Sequence, residues 1–279
     1  MQITNPFNDE NFSEFQLKSG KASKVHEIEG SFVYQFPIRG KYCMFYTSKW
    51  TNKIHESAKK ENAIYTLVEN YEKSVGKPPY KNRIPRHTIV IDLNQSEEEI
   101  LQGMHQKGRY NIKLARKKCV EIRKSTNTDE FYKILQETGS RDGFHLNPPE
   151  FYQTMLGELK DKVALYMAYY NDQPIAGIIV TFIGNTATYF YGASSNEHRN
   201  LMAPYLLQWH AIQEAKKREY QYYDFLGIAD PKNPKDPLKG VTEFKRKFGG
   251  QHIEWPRGGM IIHKPFLNLL LKLKNSLKL

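Results

Sequence analysis

Apolar and aromatic residues run almost unbroken over 164–170, 175–183 and 187–193, and the polar breaks fall at Asn171-Asp172 and Gly184-Asn185. Short apolar runs of this kind, bounded by turn residues, predict three consecutive strands. Branched and aromatic content predicts further strands at 24–29, 32–38, 41–47, 87–93, 120–122 and 222–228. Helical patterning covers 8–17, 53–74, 109–117, 129–138, 149–159 and 204–218. Ser96 stands before Glu97-Glu98-Glu99, a cap followed by an acidic first turn, so another helix starts there. Pro204 suits a first helical turn, where its missing N–H is not needed, and Lys216-Lys217-Arg218 suit the negative end of the same helix. Strands interleaved with helices predict an α/β fold. The polar stretch 124–129 is the predicted domain boundary, and no internal sequence repeat is visible.

Composition narrows the class. The chain has 279 residues, enough for one large or two average domains, and its 39% hydrophobic and 13% aromatic content supports true cores. Two cysteines far apart in sequence, Cys43 and Cys119, suggest neither a disulfide framework nor a metal knuckle. The nine histidines form no ligand-spaced cluster, so no metal is expected. The start, Met1-Gln-Ile-Thr-Asn-Pro6, is polar and no stretch reaches membrane-spanning length, so the expected location is the cytoplasm. A net charge of +11, from 41 basic and 30 acidic residues, favours polyanionic partners such as tRNA, nucleotide diphosphates or an anionic membrane face. A basic protein without any such role has the same charge.

The most informative region runs from Tyr189 through Ala203-Pro-Tyr-Leu-Leu-Gln208 and Tyr223-Asp-Phe-Leu-Gly-Ile228 to Phe244-Lys-Arg-Lys-Phe-Gly249. It reads as strand, loop, helix, strand and a basic aromatic segment, the order of the acyl-donor half of an N-acyltransferase domain. A helix opening off a strand end presents free N–H groups, an anion site. In acetyl-CoA enzymes of that fold this loop carries a glycine-rich turn around the pyrophosphate. Here Arg199-Asn-Leu-Met-Ala203 places Leu201 and Met202 where close backbone approach favours glycine, which argues against CoA as donor.

With Pro85-Arg-His-Thr-Ile-Val-Ile-Asp-Leu93, Gly108-Arg-Tyr-Asn-Ile-Lys-Leu-Ala-Arg-Lys117, Thr138-Gly-Ser-Arg-Asp-Gly-Phe144 and Gly192-Ala-Ser-Ser195, these segments resemble the FemABX family over roughly residues 85–250. Those enzymes add amino acids from aminoacyl-tRNA to peptidoglycan precursors. The first eighty or so residues match weakly. The resemblance implies two acyltransferase-like (GNAT-like) domains, mixed sheets flanked by helices: 1–124 completed by 251–279, and 125–250 carrying the donor site. No sustained heptads occur between Gly108 and Gly250, so the tRNA-gripping coiled-coil arm of some members is not expected.

Its implied reaction is attack of an amine on an aminoacyl ester, which asks for positioning and oxyanion stabilisation rather than a cofactor. Lys245 is then the cation at the developing charge and Phe244 shapes its pocket. A solvated basic run is the plain alternative for Lys245-Arg246-Lys247. Arg141, at a helix end, would grip the precursor's diphosphate, with Lys18 as its partner, or would simply pair with Asp142. Tyr205 would lie beside the acceptor peptide. Tyr189 and Tyr191 are expected on opposite sides of their strand, with at most one, Tyr191 as the substrate-binding candidate, at the cleft. Arg199 and Arg109 complete the binding candidates, although Arg109-Tyr110-Asn111 reads chiefly as a structural junction. Asp224 would accept a proton or orient Tyr205 or Lys245. Partners implied are aminoacyl-tRNA and a UDP-linked or lipid-linked muramyl pentapeptide.

In the segment 264–279, Phe266, Leu269, Leu270, Leu273 and Leu277 fall on one helical face. Packing back on the N-terminal domain is favoured over a membrane-surface helix. A CoA-dependent acyltransferase and a non-catalytic precursor- or membrane-binding protein are the other classes.

Overall fold

The computed structural model describes residues 3–69, 75–79 and 82–276. The chain divides into two compact units, 1–86 with 255–279, and 87–254.

The first unit holds α1 (Glu10–Lys18), α2 (Asn52–Lys60), α9 (Pro265–Ser276) and five strands: β1 (Lys24–Ile28), β2 (Ser31–Arg39), β3 (Tyr42–Thr47), β4 (Ala63–Val68) and β12 (Gly259–Ile262). The sheet order is β1-β2-β3-β4-β12, antiparallel except for the β3–β4 pair. α2 is the crossover between these two parallel strands. The expected helix over 53–74 ends early: Asn62 takes a left-handed backbone (φ 59°), and Ala63-Ile-Tyr-Thr-Leu-Val68, branched and aromatic, forms β4 instead. The stretch 70–74 of that expectation lies outside the described residues. Beyond β4, the buried Glu69 carboxylate accepts the N–H groups of Arg83 at 2.8 Å and Ile84 at 3.0 Å, and burial raises its pKa to about 7. The Arg83 guanidinium lies 3.4 Å over the Phe36 ring.

The second unit holds β5 (His87–Asp92), α3 (Glu97–Gly103), α4 (Gln106–Lys117), β6 (Glu121–Ser125), α5 (Thr128–Asp142), α6 (Pro149–Leu159), β7 (Val163–Tyr170), β8 (Gln173–Ile183), β9 (Thr186–Ser194), α7 (Ala203–Lys217), β10 (Tyr222–Gly227), α8 (Lys239–Arg246) and β11 (Gln251–Glu254). Its sheet runs β11-β5-β10-β9-β8-β7-β6, with β9–β10 the parallel pair and α7 the crossover. Ile178, Val180 and Phe182 of β8 share a core with Leu207, Trp209 and Ile212 of α7. Gly177 lies between Met167 and Phe131 of α5, so helices cover both faces.

The expected boundary at 124–129 is corrected. β6 pairs with β7 from Glu121↔Tyr169 to Ser125↔Leu165, and Asn127 caps α5, so the polar stretch is a tight strand-to-helix turn inside the second unit. The division lies between Arg86 and His87. Although no repeat is legible in sequence, the units share a plan: an antiparallel meander, a helix crossover to a parallel strand, then an antiparallel neighbour.

Candidate functional site

The two parallel pairs differ in one respect that locates the site. In the first unit β3 and β4 stay hydrogen-bonded from Cys43↔Ala63 to Thr47↔Val68, and the Glu69 N–H still donates to the Thr47 carbonyl at 3.0 Å. In the second unit β9 and β10 pair only at Tyr222↔Thr186, Tyr223↔Ala187 and Asp224↔Thr188. Beyond that point the two strands part, and ligands of open α/β sheets bind at such carboxyl ends.

Lys245 fills this fork. It stands in the last turn of α8, its side chain is 6% exposed, its Nζ donates to the Gly227 carbonyl of β10 at 2.7 Å, and it lies 5.4 Å from the centre of the Tyr189 ring of β9. Burial pulls its pKa down to about 8, and the Asp224 carboxylate opposes that shift. Asp224 is also fully buried. Burial raises its pKa, while the Thr88 hydroxyl, the Leu226 N–H at 2.8 Å and the charge of Lys245 act the other way.

β10 is bulged to make this possible. Its register on β5 slips between Asp224↔Val90 and Gly227↔Thr88, and Leu226 sits at φ 57°, a backbone branched side chains rarely adopt. Asp224 holds the Leu226 N–H, and the single Thr88 hydroxyl proton is shared between Asp224 and the Leu226 carbonyl, the latter at 2.9 Å. The bulge thereby brings the Gly227 carbonyl to Lys245. On the other prong, Tyr189 lies along Gly192, where a Cβ would collide with its hydroxyl. Burial pushes the Tyr189 phenol up to about 12.

An aromatic wall flanks the lysine. Tyr205, in the first turn of α7, meets Phe244 edge-on at 5.0 Å and stacks on Phe248 at 5.6 Å. The foot of α8 is seated on main chain. The His105 N–H donates to the Lys247 carbonyl at 3.1 Å, and a Cβ on Gly108 would strike that same carbonyl. Such a site suits a developing negative charge beside a bound acyl group. Among the described residues no three His, Cys, Asp or Glu side chains are placed to hold a metal ion.

Residues 51–173 and 169–275 match the FemAB family, most of the chain. The chain belongs to the FemAB family. Its similar relatives include lipid II:glycine glycyltransferases of Staphylococcus epidermidis (19% identity; 69% of this chain and 62% of the relative) and Staphylococcus aureus (21%; 59% and 56%). The chain thus spans about 56–62% of the length of the curated relatives it matches. Among solved structures it is similar to FemX, with TM-score 0.80 at 16% identity over 97% of this chain and 98% of that one. It is also similar to L-PGS from Bacillus licheniformis, with TM-score 0.56 at 11% identity over 99% and 98%. At these identities the likeness is one of fold.

Of the residues singled out in sequence, this FemAB-family fold brings together Lys245, Phe244, Tyr205, Tyr189 and Asp224. The others stand apart from that group. Tyr189 and Tyr191 do lie on opposite faces, but strict alternation would put them on the same one. A bulge at Phe190, between Tyr191↔Ile179 and Tyr189↔Val180, separates them. Tyr191 then packs edge-on against Tyr152 at 5.3 Å, in contact with α6 rather than the fork. Arg109 donates to the carbonyls of Leu101, Gln102 and Met104 and closes the end of α3, a structural junction in place of a substrate contact. Arg141 takes its plain alternative: Nε bonds Asp142 at 2.9 Å, and Nη1 bonds the Ser194 carbonyl and Asn196. Arg199 is exposed on a single 3-10 turn between His198 and Met202, both at positive φ. Lys18 is exposed at the end of α1, in the first unit. Thr88, Gly192 and Gly227 escaped sequence reasoning as site components; only strand pairing places them here.

Proposed function

We propose that the chain is an aminoacyltransferase that moves an amino acid of the Gly, Ala or Ser type from aminoacyl-tRNA to the stem peptide of a lipid-linked muramyl pentapeptide. The observation that carries this reading is the buried Lys245 ammonium at the fork of β9 and β10, in a chain whose relatives are named lipid II:glycine glycyltransferases.

The acceptor amine attacks the ester carbonyl, forming the C–N bond and a tetrahedral oxyanion. Collapse breaks the C–O bond to the ribose, and the proton lost by the amine ends on the ribose oxygen. One N–H of Lys245 is held by Gly227, which fixes the ammonium and leaves donor capacity for the oxyanion. Phe244 and Tyr205 wall the acyl group from water. The ester brings its own activation, so the reading needs no cofactor.

Contact with a lipid-linked acceptor is consistent with α9. Phe266, Leu269, Leu270 and Leu273 are exposed, while buried Asn268 marks its packed side. The helix lies against β4 of the first unit, as the expected packing has it, but its leucine stripe faces outward; Leu277 lies outside the described residues. No helix among the described residues is long and apolar enough to cross a membrane, so membrane contact through 264–279 would be peripheral.

The test incubates the purified protein with nucleotide-linked or lipid-linked muramyl pentapeptide and bulk charged tRNA, read by mass spectrometry. A gain of one or more amino-acid residues, lost with RNase and in Lys245→Ala, is expected. No transfer to either acceptor, with thermal stabilisation by acetyl-CoA, would move the assignment to a CoA-dependent acyltransferase.

A further inference from the structure

Helix α4 carries Lys107, Arg109, Lys113, Arg116 and Lys117, and no acidic residue. Arg109 is occupied at the end of α3. The other four are exposed, and none has an acidic side chain within salt-bridge reach among the described residues. The inward face is Gly108, Asn111, Ile112 and Ala115, all buried. On the outward face Tyr110, Lys113 and Lys117 follow one another at i, i+3 and i+7, with Lys107 and Arg116 at the edges. Tyr110 is 61% exposed.

That combination identifies a class of ligand. An unpaired cationic row about 15 Å long, from Lys107 to Lys117, attracts a polyanion. A single aromatic ring standing in it offers a stacking surface for a base. A membrane surface would need apolar side chains around the ring to bury, and the outward face has none. The helix is also joined to the site, because Gly108 and His105 seat on the carbonyl of Lys247, two residues beyond Lys245.

We propose that the outward face of α4 is the RNA-docking surface of this protein, with Lys113 and Lys117 on phosphates and Tyr110 stacked on an exposed base of the aminoacyl-tRNA. This rests on the aminoacyltransferase reading and adds the surface that holds the donor.

The experiment measures binding of deacylated bulk tRNA by fluorescence anisotropy from 50 to 200 mM salt, and transfer kinetics with charged tRNA as the varied substrate. Lys113→Glu/Lys117→Glu is expected to weaken tRNA binding at least tenfold and to lower the slope of log affinity against log salt by about 2. Tyr110→Ala is expected to weaken binding with the slope unchanged. Both should raise KM for tRNA and leave kcat at saturation in place, and both should melt like wild type. Lys133→Glu, exposed on α5, serves as the charge control. Wild-type transfer with unaltered tRNA affinity in both variants would overturn the docking surface and leave the proposed function standing. Absence of any wild-type transfer would overturn the function itself. Loss of binding to phosphatidylglycerol vesicles in place of tRNA would reassign the face to the membrane.

Discussion

A lysine ammonium nearly closed off from water is disfavoured by about 3 kcal/mol relative to its exposed form when its pKa falls from 10.5 to about 8. Lys245 retains enough charge near neutral pH to stabilise an oxyanion, and it sits where it need not reorganise to do so. Lys245→Ala is therefore expected to lower kcat by about 10²–10³-fold while leaving tRNA binding intact, measured by single-turnover transfer. Because the cation is the working form, transfer should decline as pH rises through about 8, and a pH–rate profile checks this. Gly192→Ala pushes on the Tyr189 hydroxyl, the other prong of the fork, and should destabilise by roughly 1–3 kcal/mol in denaturant melts with a matching fall in kcat. At this scale sequence reading named Lys245, Phe244 and Tyr205, which the fold brings side by side. For Arg141 it named Asp142 as an alternative partner and for Arg109 a structural junction, and those are the contacts both make; the neighbours of Tyr191 on α6 are not legible from spacing.

At the scale of elements, β10 and α8 together set the lysine. β10 was legible from its branched and aromatic content, but its bulge was not, since nothing in Asp224-Phe-Leu-Gly227 announces a left-handed leucine. The device depends on Thr88, which faces the bulge only because β5 pairs with β10. Thr88→Val keeps the shape and removes the donor, so the bulge loses the one hydroxyl proton that Asp224 and the Leu226 carbonyl share. A loss of roughly 1–3 kcal/mol is expected in chemical denaturation, with kcat reduced more than KM. Restored kcat in Thr88→Ser and not in Thr88→Val would separate this role from packing. α8 itself was read only as a basic aromatic segment. It is short, and its helix follows from a loop tied by Asp236 and from the Thr242 hydroxyl bound to the Ala229 N–H, contacts distant from any helical period.

For the whole molecule, the sequence carried the class and most strands, and it missed where one unit ends because the true division is an unremarkable Arg86-His87 step. Two buried groups, one in each unit, respond to pH in opposite senses. Glu69 has a raised pKa, so the first unit is favoured by that group at low pH and loses the contribution as pH climbs from 4.5 through about 7. Lys245 has a lowered pKa, so the second unit gains stability between about 8 and 10.5. The difference in melting temperature between Glu69→Gln and wild type should grow in favour of the variant from pH 5 to pH 8. A flat difference would show that Glu69 titrates as an ordinary carboxyl.

The contacts that locate Lys245 largely end on main chain: the carbonyl of Gly227 for its ammonium, the carbonyl of Lys247 under Gly108, and the carbonyl of Gly103 beneath Gly249. Such references do not depend on which side chains surround them. The side chains around them can therefore be exchanged without moving the Lys245 ammonium, provided a few positions stay bare of a β-carbon. The likeness to FemX, a TM-score of 0.80 at 16% identity, is of the same kind: the course of the main chain is alike where most side chains differ.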